Sequence, residues 1–178
     1  MISLRQLRVE DAPLMLEWMH DPAIQKSFRK NMLGMTLEDA ERFCASAVIP
    51  GLPSDGDSLH WAIVNEEDEY LGTISLKAID LKSRNAEWAI VTRMCAHGKG
   101  VARKATALIL KKAFLDYGLH KVYFNVLPGN EACIRLNERF GFKCEGEFRD
   151  HLVIDGRFTS LKWYGMLASE YDPDIFAD

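Results

Sequence analysis

The order of elements between Ala86 and Val126 constrains the fold most. A strand-like run, Ala86–Val91, leads into the irregular stretch Thr92–His97. A helical pattern follows from about Gly100 to Tyr117, closed by Gly118, and a second strand-like run occupies Lys121–Val126. Strand, helix and strand in that order make a βαβ unit, which neither an all-helical bundle nor a simple β-sandwich contains.

The rest of the chain extends this unit. Ile2–Arg8 is a broken apolar/polar alternation, and Glu10-Asp11-Ala12-Pro13 reads as an N-cap opening a helix to about His20, which Asp21-Pro22 ends. Lys26–Gly34 has no clean period. Thr36-Leu37-Glu38-Asp39 resembles a capping box before a helix with Leu37, Ala40, Phe43, Cys44, Ala47 and Val48 at helical spacing. A loop at Pro50–Asp57 precedes two strands, Leu59–Val64 and Tyr70–Ile79, joined as a hairpin by Asn65–Glu69. After Lys121–Val126 come a turn at Leu127–Asn130, a helix from Glu131 to Phe140 stopped by Gly141, and two strands around Asp155-Gly156. Tyr171–Asp178 reads as a frayed acidic end. These elements predict a mixed α/β (α+β) sheet with helices on its faces.

At 178 residues the chain fits one domain, and 48% hydrophobic with 27% charged residues is enough apolar material for a core. No apolar run approaches the roughly 18 residues of a membrane span, and Met1–Arg5 lacks the apolar core of a signal peptide, so a cytoplasmic protein without membrane partners is expected. A net charge of -4 offers no global field for nucleic acid. The four cysteines form no C-x-x-C pair and the five histidines no H-E-x-x-H, so free thiols and no metal are expected. Cys95 and His97 stand two apart without partners at ligand spacing.

Chemistry concentrates at His97-Gly98-Lys99-Gly100-Val101-Ala102-Arg103-Lys104. Two glycines let successive amides turn toward one anion where a helix N-terminus adds its partial positive charge. From Trp88 to Leu115 there is no acidic residue, whereas Arg93, Lys99, Arg103, Lys104, Lys111 and Lys112 are basic. The bland alternative is a glycine loop before an amphipathic helix with a solvated lysine face. A Walker loop needs a G-x-x-x-x-G-K-[ST] spacing that Lys99 lacks, and a dinucleotide fingerprint needs a small residue where Arg103 stands.

His97–Ala102 resembles the [QR]-x-x-G-x-[GA] loop of the GNAT superfamily of acyl-CoA-dependent N-acetyltransferases, and Asn130–Phe142 is similar to its N-x-x-[AS]-x-x-[LF]-Y-x-x-x-G-F element. Ala86-Glu87-Trp88, Leu119–Val122 and Glu145–Phe148 resemble the Rim-type branch, which includes protein N-terminal, spermidine and amino-sugar acetyltransferases. Trp18–Ile24 is similar to a string in the amino-sugar enzymes. The resemblance implies a mostly antiparallel GNAT sheet, with acceptor-side elements in residues 1–58 and an acetyl-CoA-binding core plus C-terminal hairpin in residues 59–171. It implies acetyl-CoA as co-substrate, its pyrophosphate on the loop formed by His97, Gly98, Lys99, Gly100, Val101, Ala102 and Arg103. The pantetheine arm would run beside Ile90, Val91 and Thr92, near Asn130 and Cys133.

Acetylating an amine requires a neutral nitrogen, a held oxyanion and a proton for the departing thiolate. An alkylamine of pKa near 10 is protonated at neutral pH, so a carboxylate is useful, and Glu87 beside Trp88-Ala89-Ile90 is the candidate base; the alternative is a solvent-facing strand glutamate. A backbone amide of Ile90 or Val91 would hold the oxyanion if its strand splays from its neighbour, a donor worth about 3 kcal/mol of barrier. Where relatives carry tyrosine this chain has Asn137, which can only hydrogen-bond the sulfur. Cys133, His151, Tyr164 or water are the other proton sources. Of the aromatics Trp18, Phe28, Phe43, Trp61, Trp88, Phe148, Phe158 and Trp163, most are expected in the core, while Phe28 and Lys26–Gly34 would wall the acceptor site. The expected activity is direct acetyl transfer to a primary amine (amino sugar, polyamine or protein N-terminus) by a monomer or homodimer. The alternatives are a non-catalytic acyl-CoA-binding regulatory domain and, disfavoured by Arg103, a dinucleotide oxidoreductase.

Overall fold

The structure, a computed structural model, describes residues 1–175. Seven strands form one sheet: β1 (Ser3–Gln6), β2 (Leu59–Val64), β3 (Tyr70–Asp80), β4 (Asn85–Thr92), β5 (Lys121–Val126), β6 (Lys143–Ile154) and β7 (Arg157–Leu167). Their spatial order is β1-β2-β3-β4-β5-β7-β6. Every neighbouring pair is antiparallel except β4 and β5, the two strands of the βαβ unit.

One face is covered by α1 (Ala12–Met19) and α3 (Leu37–Ser46), which bury Met15, Trp18, Met19, Ala40 and Cys44 against Ala62, Val64 and Tyr70. The other is covered by α4 (Val101–Lys111) and α5 (Glu131–Phe140), packed on Trp61, Ile74, Leu76, Trp88 and Phe124. Strand alternation sends successive residues to opposite layers, which is why the first seven residues of β3, Tyr70–Leu76, are all buried. Trp88 is wholly buried between the rings of Phe124, 5.7 Å away, and Phe142, 6.1 Å away.

Local signals account for most boundaries. Thr36 and Asp39 close the capping box reciprocally, at 3.2 and 2.9 Å. Asn130 caps α5 by accepting from the Cys133 N–H at 3.3 Å, and Gly141 ends it at φ +95°. Asp21-Pro22 ends α1 as expected and opens the short α2 (Pro22–Gln25), Asp21 accepting from the Ala23 N–H at 2.8 Å. Asp155 and Gly156, at φ +49° and +74°, form the turn between β6 and β7.

Several expectations are corrected. Asp11 does not cap α1 through its side chain; its carboxylate takes both ends of the Arg5 guanidinium at 2.8 Å, a stronger partner than an amide. The helix predicted to Tyr117 is α-helical only to Lys111 and widens to a π turn over Lys112–Asp116. Tyr117 N–H reaches back to the Lys112 carbonyl, and this wider turn leaves both Ala113 and Phe114 buried. Leu37 and Val48 are 42% and 63% exposed, because α3 turns only Ala40 and Cys44 fully inward. Phe148 and Phe158 are exposed rather than core, because they lie on the hairpin whose β6 forms the sheet's edge. Tyr171 is not frayed: its ring packs on Phe114 at 5.0 Å. Residues 176–178 of the expected acidic end lie outside the described residues. No described helix is long and apolar enough to cross a membrane.

Candidate active site

Parallel pairing between β4 and β5 stops early. It joins Asn85, Ala86 and Glu87 to Lys121, Val122 and Tyr123, and ends there. Phe124, Asn125 and Val126 keep their partners only on the other edge, in β7. From Trp88 onward the two strands diverge, so backbone groups along that edge of β4 face an opening instead of a ladder. The opening is a cavity of about 170 Å3 whose lining includes Glu87, Trp88, Ala89, Ile90, Asn125, Val126, Asn130 and Cys133. The splay expected for an oxyanion-binding strand is therefore present.

At the far end of β4 the backbone is held by close contact with β3. Gly72 pairs with Thr92, and a Cβ at Gly72 would stand 2.2 Å from the Val91 carbonyl oxygen. Only glycine fits there, a constraint that sequence reading missed.

Beyond Thr92 the chain forms the glycine loop. Gly98 and Gly100 have φ of +72° and +74°, and a side chain built on either meets nothing within 4 Å, so the loop surface is open. Gly100 is the N-cap of α4, and a glycine has no side chain with which to cap the first turn. The positive end of the α4 helix dipole therefore lies at this loop. His97 and Lys99 are exposed, and a ring nitrogen of His97 lies 3.3 Å from the Thr92 carbonyl, tying the loop to β4. Val101 is buried beneath the loop. Arg93 does not contribute to a basic loop face: it pairs with Glu17 and Glu69 at 2.8 Å.

A second cavity, of about 320 Å3, lies on the α1–α3 face of the sheet. Its wall is Trp18, Met19, Phe28, Met32, Met35 and Phe43, with Lys30; its floor is His60, Thr73, Ser75, Lys77, Ala89 and Val91 from β2 to β4. Phe28 stacks on Trp18 at 5.4 Å, so the aperiodic segment supplies wall as expected. Trp18 Nε1 donates to the Tyr70 hydroxyl at 2.9 Å, which lies 2.7 Å from Thr73 Oγ1. His60 Nδ1 lies 2.7 Å from Ser75 Oγ, and its ring packs on Phe43 at 4.9 Å. Burial, helped by the nearby Lys77 charge, lowers the His60 pKa to about 4, so the ring is neutral at pH 7.

The two cavities share Phe28, Lys77, Ala89 and Ile90. They therefore meet at β4. Glu87, next to that junction, accepts from Lys77 Nζ at 2.8 Å and lies 3.5 Å from Arg29, with its side chain 18% exposed. It is thus a held carboxylate on the cavity wall, not a freely solvated strand glutamate.

Asn137 stands apart from the opening. It is fully buried and lines neither cavity; Nδ2 donates to the Cys133 carbonyl at 2.8 Å and lies 3.5 Å from Cys133 Sγ, while buried Oδ1 has no partner among the described residues. Its short side chain stops beneath Cys133, which stands on the cavity wall instead. Burial raises the Cys133 thiol to about 11, keeping it protonated at neutral pH. Tyr164 is stacked on Phe124 at 5.1 Å, and His151 packs against Phe148 on exposed β6; neither lines the opening. His60, Thr73, Ser75 and Lys77 escaped sequence reading, although each alternates with an apolar core residue.

Among the described residues no cluster of three or more His, Cys, Asp or Glu is arranged for a metal. Residues 2–143 match the acetyltransferase (GNAT) domain model. The chain belongs to the GNAT family. This GNAT protein is an N-acetyltransferase, similar over most of its length to an uncharacterized N-acetyltransferase, p20, of Bacillus licheniformis: 28% identical over 171 residues, covering 96% of this chain and 94% of that one. It is 29% identical to the spermidine N(1)-acetyltransferase of Vibrio cholerae over 117 residues, 66% of this chain and 68% of that enzyme. The crystal structure of spermidine N-acetyltransferase from Vibrio cholerae with CoA and spermine shares the fold, with a TM-score of 0.83 at 24% identity over 96% of this chain and 97% of that one. A GNAT-family acetyltransferase from Bacillus anthracis does so at 0.81, with 20% identity over 94% and 95% of the two chains.

Proposed function

We propose that this GNAT protein transfers the acetyl group of acetyl-CoA directly to a small primary amine, with both substrates bound at once. The observation that carries the reading is the meeting of the two cavities at Ala89 and Ile90. One is a slot along an opened strand edge; the other is an apolar pocket with a polar floor.

In this reading the amides from Gly98 to Ala102 take the coenzyme pyrophosphate, with His97, Lys99 and Arg103 beside it. The pantetheine arm lies in the opening between β4 and β5, along Ile90, Val91 and Thr92 and past Asn130 and Cys133. The amine enters from the opposite cavity. Its lone pair forms the C–N bond at the thioester carbon while the carbonyl electron pair moves to oxygen, where a β4 amide of Ile90 or Val91 holds it. Collapse breaks the C–S bond and releases the thiolate, which takes a proton from solvent, since a thiol of pKa near 8.5 is a tolerable leaving group. Glu87, oriented by Lys77 and Arg29, accepts the proton that nitrogen loses, directly or through one water.

Release of free CoA thiol over a panel of primary amines tests the proposal. Amine-dependent release at a fixed acetyl-CoA concentration is expected; coenzyme binding with no release on any amine would instead indicate a non-catalytic acyl-CoA-binding domain.

A further inference from the structure

The charges around the acceptor cavity are lopsided. Among the described residues, the charged ones lining the two joined cavities are Arg29, Lys30, Lys77 and Glu87, three cations against one carboxylate. Glu87 is already engaged by Lys77 at 2.8 Å and by Arg29 at 3.5 Å. Lys30, exposed at the cavity wall, has no ion-pair partner among the described residues. The remaining wall is apolar and adaptable, with the Trp18–Phe28 stack and two flexible methionines, Met32 and Met35.

On the acetyl-transfer reading of this cleft, we propose that the acceptor is a small primary amine with an apolar body and an anionic group. The apolar body lies against Trp18, Phe28 and the methionines, the anion meets Lys30, and the nitrogen points to Ala89 and Ile90. A polyamine is the opposite kind of molecule. Its several ammonium groups need several carboxylates, and among the described residues Glu87 is the one that lines these cavities, serving the reacting nitrogen and leaving none for the others. Like charges facing each other disfavour a partner even where its shape fits.

The test uses acceptors built on one body: L-phenylalanine, its phosphonate analogue, and 2-phenylethylamine, which lacks the anion, with spermidine as the polycation. Thiol release gives kcat/KM for each, and calorimetry gives CoA binding independently of any acceptor. An advantage of about tenfold for the anionic members over 2-phenylethylamine is expected, the worth of one charged hydrogen bond, with spermidine lowest. Lys30→Glu should shrink that anionic-to-neutral ratio, and the better of carboxylate and phosphonate identifies the anion. Spermidine outranking the others, or a ratio unchanged by Lys30→Glu, overturns the acceptor assignment while retained CoA binding leaves the transfer reading standing. A protein that binds no CoA overturns both.

Discussion

Lys77 and Glu87 stand directly opposite each other in the β3–β4 ladder, and Lys77 Nζ donates to Glu87 Oε1 at 2.8 Å. The pair sits where β4 loses its β5 partner, so the last fully laddered residue of the strand carries the carboxylate on the wall of the opening, while Lys77 lines both cavities. A carboxylate at such a boundary is fixed by sheet geometry yet open to the cavity, as the proposed role of Glu87 requires.

Glu87→Gln keeps the shape and removes the base. At neutral pH kcat should fall about a hundredfold, within the ordinary range for a positioned acid or base. The deficit should narrow as pH rises toward the amine pKa near 10, where more acceptor is already neutral. A pH–rate profile of both proteins checks this, and a deficit constant with pH removes Glu87 from the proton transfer.

Gly72→Ala should destabilise the protein by about 1–3 kcal/mol, because the new methyl collides with the backbone of Val91 and Thr92 and cannot be relieved by a side-chain rotation. Activity should fall too, since the displaced segment carries the proposed oxyanion amides. Gly34→Ala and Gly51→Ala, with nothing within 4 Å, should stay within about 0.5 kcal/mol of the parent. Urea denaturation of the three variants decides it.

His60 gives stability a pH dependence of definite sign. Its folded pKa is lowered to about 4 from 6.5, so between those values the unfolded chain binds a proton that the folded chain refuses. This contribution is complete above pH 6.5 and is lost as pH falls toward 4, by at most about 1.4 kcal/mol per unit. His60→Gln should flatten the stability curve in that window. An equal slope in parent and variant contradicts the assignment.

Asn137→Leu should be neutral or stabilising in denaturant titrations, because it removes a buried oxygen that has no partner among the described residues. The Cys133 carbonyl, which loses the Asn137 amide, still lies within the α5 hydrogen-bond ladder. Thiol release should change less than about twofold, whereas a hundredfold loss would restore Asn137 as a participant at the sulfur.

How much of this was legible in the chain follows from the range of the forces involved. β5 and α5 carry the bounds expected from sequence, Lys121–Val126 and Glu131–Phe140, because a capping asparagine and a left-handed glycine are local signals. The glycine loop was legible for the same reason. The divergence of β4 from β5 was only a condition of the mechanism, since sheet pairing depends on what lies across the strand. The floor residues Thr73, Ser75 and Lys77 sit among neighbours that read as a buried strand, so nothing local marks them as pocket. The change to a π turn after Lys111 likewise answers to packing of Ala113 and Phe114, not to composition.

The central claim is that the Gly98–Ala102 loop at the start of α4 holds the coenzyme diphosphate. Titration calorimetry of CoA into the parent and into Gly100→Glu tests it most directly, the glutamate adding a negative side chain in the open space above a left-handed residue. Saturable heat in the parent and its loss in a variant that still melts cooperatively is the predicted result. No binding by the parent, or equal binding by both proteins, would contradict the account.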